Sequence, residues 1–215
     1  MMIEFQNENM KGRRIKRAVA ISADMFLKNG IENVKMTDIA DASGVGVATL
    51  YRYFGTKTGI TIAAMTHLWN ELKGMFSGIF ESEVFLAQSG LKQLSELMRM
   101  YTVLYEAHKD FMKLLGEFDL MMIREKVPKS ELEEYDQSII NFYVVYEAAC
   151  KRGVADGSIR EDVDFHLLYV TYGHAMMELA KKLLRGEILP TDNFSEGYKE
   201  LEMLVNTAVE YVRKR

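Results

Sequence analysis

The side chains best placed for chemistry lie between Ile39 and Lys57, and the chemistry they suit is recognition rather than bond making. A short helix, a turn built on Gly44 and a second short helix follow one another there. Such a pair presents a rod narrow enough to enter the major groove of double-stranded DNA. Ala40 is small where the two helices must cross, and Val45 and Leu50 fill the space between them. Val47, Ala48 and Tyr51 are left facing outward. Small helices meeting at Ala and Gly also occur in ordinary bundles, so the spacing alone leaves both readings open. Catalytic patterns fare worse: the chain has no GxSxG, no P-loop, no HExxH and no Gly-rich strand-to-helix turn. Cys150 is the single cysteine, and His67, His108, His166 and His174 share no metal-ligand spacing with it or with one another. Glu131, Glu133, Glu134 and Asp136 read as a solvated helix start rather than an acid–base pair. Neither catalysis, nor a metal, nor a cofactor is expected.

The elements that must position those residues belong to a chain of 215 residues, 48% hydrophobic and 27% charged, with two prolines. That composition supports a real core and excludes disordered, collagenous and low-complexity classes. No apolar run approaches the roughly 18 residues a bilayer requires, and the amino terminus has no apolar signal core. A soluble protein of a reducing cytoplasm is expected, without a membrane partner. The net charge of -4 argues against a nucleic-acid partner until it is divided along the chain. Residues 1–60 hold nine Lys/Arg against six Asp/Glu, whereas the remainder holds 18 against 25. A basic head sits on an acidic body.

Helical periodicity runs throughout. Ile15, Ala18, Val19, Ser22, Ala23, Phe26 and Leu27 lay one stripe along a helix over about 12–28, and Asn29-Gly30 ends it. Further helices are expected over about 36–43, 46–53, 57–76, 90–107, 110–123 and 130–152, then from a cap at Asp162 or Asp164 to Arg185, and finally over about 194–213. No period-2 alternation is long enough for a sheet. The fold class is all-α.

The run Ile39-Ala-Asp-Ala-Ser-Gly-Val-Gly-Val-Ala-Thr-Leu-Tyr-Arg-Tyr-Phe-Gly-Thr-Lys-Thr-Gly-Ile60 resembles the signature of TetR-family transcriptional regulators. With the preceding helix, the resemblance covers Arg13 to about Ile60. Beyond it only the helix layout and the stretch Arg152-Gly-Val-Ala-Asp-Gly-Ser-Ile-Arg-Glu-Asp-Val-Asp164 match. The resemblance implies a three-helix helix-turn-helix DNA-binding domain over 1–56 and a larger helical effector-binding and dimerisation domain over 57–215. It places Val47 and Ala48 against base edges, where only apolar contact such as a thymine methyl is open to them. It makes Tyr51 a groove-facing residue, Thr49 and Tyr53 hydroxyl donors to phosphate, and Lys57 a backbone contact at the start of the fourth helix. Thr37 matches a position that in some relatives reaches a base. Phe54 reads as core. Two departures stand out: Gly46 replaces the usual Ser cap of the recognition helix, and Lys35 replaces a Ser/Thr cap, trading it for a phosphate contact. With Val, Ala and Gly on the groove side, specificity leans on DNA shape, on Arg52 and on the basic run Lys11 to Arg17.

For the body, the resemblance implies a four-helix bundle shared by two copies through the last two long helices. Leu167, Val170, Ala175, Leu179 and Leu183, with Leu201, Leu204, Val205, Ala208 and Val212, make the stripes, and Tyr169, Tyr172, Met176, Met177 and Met203 widen them. A deep monomeric core is the alternative reading of the same stripes. Paired recognition helices roughly 34 Å apart imply a palindromic operator. Fifteen methionines and 11% aromatic residues suit a deformable apolar cavity for a small, largely apolar effector. The family layout makes Met65, Trp69, Met98, Tyr101, Tyr105, Phe118, Tyr143, Tyr146, Tyr172 and Met176 candidate lining residues, with Glu147 and His174 as polar groups to orient a ligand. The expected function is a ligand-responsive regulator, most simply a repressor released by its effector. The alternatives are a constitutive DNA-binding dimer, or an all-α enzyme or adaptor.

Overall fold

The structure, a computed structural model, describes residues 2–139 and 142–215, with side chains from residue 12 onward. Among the described residues, eleven α-helices follow in chain order: α1 (Met2–Asn29), α2 (Met36–Ser43), α3 (Val47–Phe54), α4 (Lys57–Phe80), α5 (Glu83–Leu86), α6 (Gly90–Ala107), α7 (Lys109–Arg124), α8 (Glu133–Ser138), α9 (Tyr143–Ala155), α10 (Phe165–Arg185) and α11 (Gly197–Val212). A 3₁₀ turn over Lys129–Leu132 precedes α8. Among the described residues there is no strand, only an isolated antiparallel bridge between Ile159 and Arg213.

The chain divides into two compact units, Met1–Lys73 with Leu114–Ile140 and Gly74–Lys113 with Asn141–Arg215. Helices α4 and α7 each contribute to both. In the first unit the α1 stripe buries Ala18, Ser22, Ala23 and Phe26, and the Ser22 hydroxyl donates to the Ala18 carbonyl at 2.7 Å. Gly30, at φ +77°, closes α1 with its N–H on the Phe26 carbonyl. Ile39, Ala40, Val45 and Leu50 are buried together with Ile60, Ala64 and Met65 of α4. The carboxyl-terminal half of α7 supplies Leu114, Leu115 and Phe118 to the same unit.

The second unit is built around α6, which packs against α9, α10 and α11. Gly90 opens α6 so close to α9 that a Cβ there would stand 2.0 Å from the Gly153 nitrogen. The Asp156 carboxylate accepts from the Gly90 N–H at 2.8 Å, and the Ser158 hydroxyl accepts from Leu91 at 3.2 Å. These bonds satisfy amides that the first turn of α6 leaves open. Asp164 rather than Asp162 caps α10, accepting from the Leu167 N–H at 2.9 Å.

Three expected elements are corrected. The single helix over 130–152 is broken: α8 ends at Ser138, whose hydroxyl joins the Ile139 N–H on the Tyr135 carbonyl, and Ile139 is extended at ψ 132°. The helix expected over 57–76 runs on to Phe80, and Ser82 then accepts from the Phe85 N–H and starts α5. The last helix begins at Gly197 rather than 194, because Asp192 holds the preceding loop through the Ile188 and Leu189 amides.

Candidate nucleic-acid interface and effector cavity

The geometry of α2, the Gly44 turn and α3 follows from local capping. Asp38 accepts from the Lys35 N–H at 2.8 Å, and Gly44, at φ +69°, donates to the Ala40 carbonyl at 2.9 Å. Gly46 starts α3 with no side-chain cap. Leu50 is fully buried, which turns the opposite face outward: Tyr51 is 48% and Tyr53 46% exposed, so neither is a core aromatic. Ala48, Arg52, Gly46, Thr37 and Lys35 are exposed, and Val47, Thr49, Lys57 and Phe54 are half-buried. The Arg52 guanidinium lies 5.6 Å from the centre of the Tyr53 ring. Of the basic run, Arg13, Arg14, Lys16 and Arg17 are exposed on α1, and the side chain of Lys11 lies outside the described residues.

Two supports were missed in the sequence. The first is the α3–α4 junction. Thr56 caps α4, its hydroxyl accepting from the Gly59 N–H at 3.1 Å, and a Cβ on Gly59 would stand 2.0 Å from the Phe54 carbonyl oxygen. A Thr three residues before an amide at a helix start is a readable cap. The second support is long-range. Glu117 of α7 accepts from the Ile31 N–H at 2.8 Å, and Arg124 pairs with Glu32 at 2.7 Å. The Arg124 hydrogen bond, followed by its charge, holds the Glu32 carboxyl below the usual range. Lys57 donates to the Glu32 carbonyl at 3.4 Å. Nothing in local spacing links positions 86 residues apart.

The second unit contains a small apolar cavity, part of it open to solvent. Met98, Tyr101, Tyr146, Tyr172 and Met176 line it as expected; Leu97, Met100, Phe142, Tyr169 and Gly173 join them. Tyr169, Tyr172, Gly173 and Met176 stand at i, i+3, i+4 and i+7 on α10, a signal that was readable. Gly173 lets the Tyr101 hydroxyl approach, since a Cβ there would be 3.1 Å from it. Tyr169 meets Tyr143 and Tyr146 edge-on at 5.3 and 5.1 Å. Burial, then the neighbouring Tyr169, pushes the Tyr101 phenol up to about 12, and burial also raises Tyr146, Tyr169 and Tyr172. All four therefore stay protonated near neutrality. The Tyr146 hydroxyl is buried without a hydrogen-bond partner, the Cys150 thiol one turn on being the polar group that bears on it.

The other candidate lining residues are not brought to this cavity. Met65, Trp69 and Phe118 are core residues of the first unit, where the Trp69 indole donates to the Tyr135 hydroxyl at 3.1 Å and the Phe118 ring lies tilted against Tyr135 at 4.7 Å. Tyr105 packs at Gly197 with Lys109 near its ring. Tyr143 packs edge-on to His166 and its hydroxyl donates to Glu147, which pairs with Lys151 at 2.9 Å. His174 is exposed.

Residues 19–64 match the family model of bacterial regulatory proteins, tetR family. That segment belongs to the tetR family. It spans α2, α3 and the start of α4, with Thr37, Tyr51, Tyr53 and Lys57 all inside it. The HTH-type transcriptional repressor KstR2 of Rhodococcus jostii (strain RHA1) is 25% identical over 158 residues, 74% of this chain and 73% of its own. Among solved structures, a TetR transcription regulator from Haloarcula marismortui ATCC 43049 aligns with a TM-score of 0.69 at 15% identity, over 94% of this chain and 99% of its own. The regulator FadR from Bacillus subtilis, in complex with stearoyl-CoA, aligns with a TM-score of 0.61 at 15% identity, over 89% and 97%. These structures share the fold of a tetR-family amino-terminal domain joined to a helical body.

Proposed function

We propose that the chain is a ligand-responsive, DNA-binding transcriptional regulator that acts as a homodimer on a palindromic operator and is released by a small effector. The observation that carries this reading is the exposed Tyr51–Ala48 face of α3, backed by fully buried Leu50, inside the segment that matches the tetR family. Val47, Ala48 and Tyr51 enter the major groove. Thr37 reaches toward a base, Thr49, Tyr53 and Lys57 meet phosphate, and Lys35, Arg52 and the α1 basic run add sequence-independent attraction. Lys57 exchanges its carbonyl partner on Glu32 for a phosphate oxygen on binding.

Pairing runs through α10 and α11. One face of each is spent inside the unit, with Leu168, Met176, Ala180 and Leu183 buried on α10 and Leu201, Val205, Ala208 and Val212 on α11. A second apolar face stays outside, where Leu167 is 61%, Met203 70% and Tyr211 53% exposed. That excess supports a dimer over a purely monomeric core. The similarity to the transcriptional repressor KstR2 supports the regulatory direction, and the transcriptional regulator FadR in complex with stearoyl-CoA supports a small-molecule effector. Selection of bound fragments from the source genome tests the reading: it should return an inverted repeat whose half-sites lie one helical turn apart. Recovery of no specific sequence, with a chain that is folded and dimeric, would overturn it.

A further inference from the structure

We propose that the cavity selects a neutral, largely apolar molecule carrying one acceptor oxygen, such as a ketone or lactone carbonyl, and seats that oxygen on the Tyr146 hydroxyl. The inference rests on the reading of the chain as an effector-responsive regulator and names the chemistry of that effector. Its ground is the wall of the cavity. Methionine, leucine and aromatic side chains make that wall, and among the described residues no side chain lining it carries a charge. The polar atoms available are phenol hydroxyls, those of Tyr101, Tyr146, Tyr169 and Tyr172.

Tyr146 decides among ligand classes. It is 4% exposed and lines the cavity, and the group its buried hydroxyl meets is the Cys150 thiol rather than an oxygen or nitrogen. A buried donor without an acceptor is costly, and a thiol is a weak substitute. A ligand oxygen at that point completes it, in the place a water molecule would otherwise hold. A saturated hydrocarbon would fill the space and leave the hydroxyl unpaired. A carboxylate or phosphate would lose its water and find no cation in the wall. As a protonated phenol, Tyr146 donates to a carbonyl, and Tyr101 lies on the same wall as a second donor. The Gly173 backbone makes room for that second hydroxyl.

Calorimetry on the full-length chain, with matched probes, tests this. Benzophenone and 2-acetylnaphthalene supply the ketones, diphenylmethane and 2-ethylnaphthalene the hydrocarbons, 4-benzoylbenzoate and 2-naphthoate the anions, and stearoyl-CoA the long acyl thioester. At least one ketone should bind about tenfold or more tighter than its hydrocarbon and its anion. Tyr146→Phe, which removes one oxygen atom, should bring ketone and hydrocarbon to within about twofold. Binding by neither ketone, an anion or stearoyl-CoA bound more tightly than both ketones, or a ketone preference undiminished in Tyr146→Phe would each overturn the proposal. If that variant does not fold, the order of the wild-type affinities decides. DNA titration of the probe-free chain is scored separately. Its failure would sink the regulator reading and leave the cavity chemistry standing, whereas anion selectivity in a chain that binds DNA would sink this inference alone.

Discussion

Replacing Gly59 by Ala should damage the DNA-binding unit through one backbone contact. The added Cβ would stand 2.0 Å from the Phe54 carbonyl oxygen, and real Cβ contacts stay beyond 3.0 Å, so α3 and α4 must separate by about 1 Å or more. The oxygen has little freedom to turn aside, because it also accepts from the Thr56 N–H at 2.7 Å. Overpacking of this kind costs about 1 to 3 kcal/mol. For a chain of this size each kcal/mol lowers the melting midpoint by about 2 to 4 °C, so a fall of about 2 to 12 °C is expected by calorimetry. The shift also moves α3 against Lys57 at the head of α4, so the groove and phosphate contacts no longer fit together. Operator affinity, measured by fluorescence anisotropy, should fall about tenfold or more when the protein is held well below its midpoint. A variant that melts within a degree of wild type and binds the operator equally well would refute the reasoning. Gly46→Ala, where nothing lies within 4 Å of the new Cβ, serves as the comparison.

Other perturbations separate the remaining roles. Tyr51→Ala should cost about 1 to 3 kcal/mol on the operator and little on unrelated duplex DNA, read by competition titration. Lys57→Ala should weaken all duplexes alike and lower the slope of log affinity against log salt by about 1 per subunit. Gly46→Ser should stabilise the chain by a few tenths of a kcal/mol, visible as a small rise in melting midpoint, because it supplies the cap that α3 lacks. Asp156 is held below the usual carboxylate range, first by its hydrogen bond with Ser158 and then by the Gly90 amide. A lowered folded pKa means its contribution is present above the unfolded value near 4 and is lost as pH falls through the folded one. Acid unfolding of wild type should therefore steepen below about pH 4 relative to Asp156→Asn, followed by circular dichroism. Identical acid profiles would remove Asp156 from the account.

What the sequence showed and what it hid divide along physical lines. The α1 stripe, the Gly30 and Gly44 stops and the exposed Tyr51 face were legible because each depends on residues within two helical turns. The helix over 130–152 misled because periodicity continues through Ser138, where α8 ends at a point the hydrophobic pattern does not mark. Five cavity residues were found from residue type alone. The same logic placed Met65, Trp69 and Phe118 wrongly beside them, since an apolar side chain in a core and one in a cavity wall look alike until the units are separated. Tyr169 was read as part of the pairing stripe, although it lines the cavity one turn from Tyr172 and Gly173. The Glu117–Ile31 and Arg124–Glu32 contacts were beyond reach, because long sequence separation leaves no periodic trace.

The most direct test of the whole account is titration of a fluorescein-labelled operator duplex with the full-length chain at low salt, with Tyr51→Ala run beside it. The account predicts saturable binding of one dimer per inverted repeat and a clear loss of that preference in the variant. No attachment to any duplex by the folded chain, or equal affinity for operator and scrambled DNA, would contradict it.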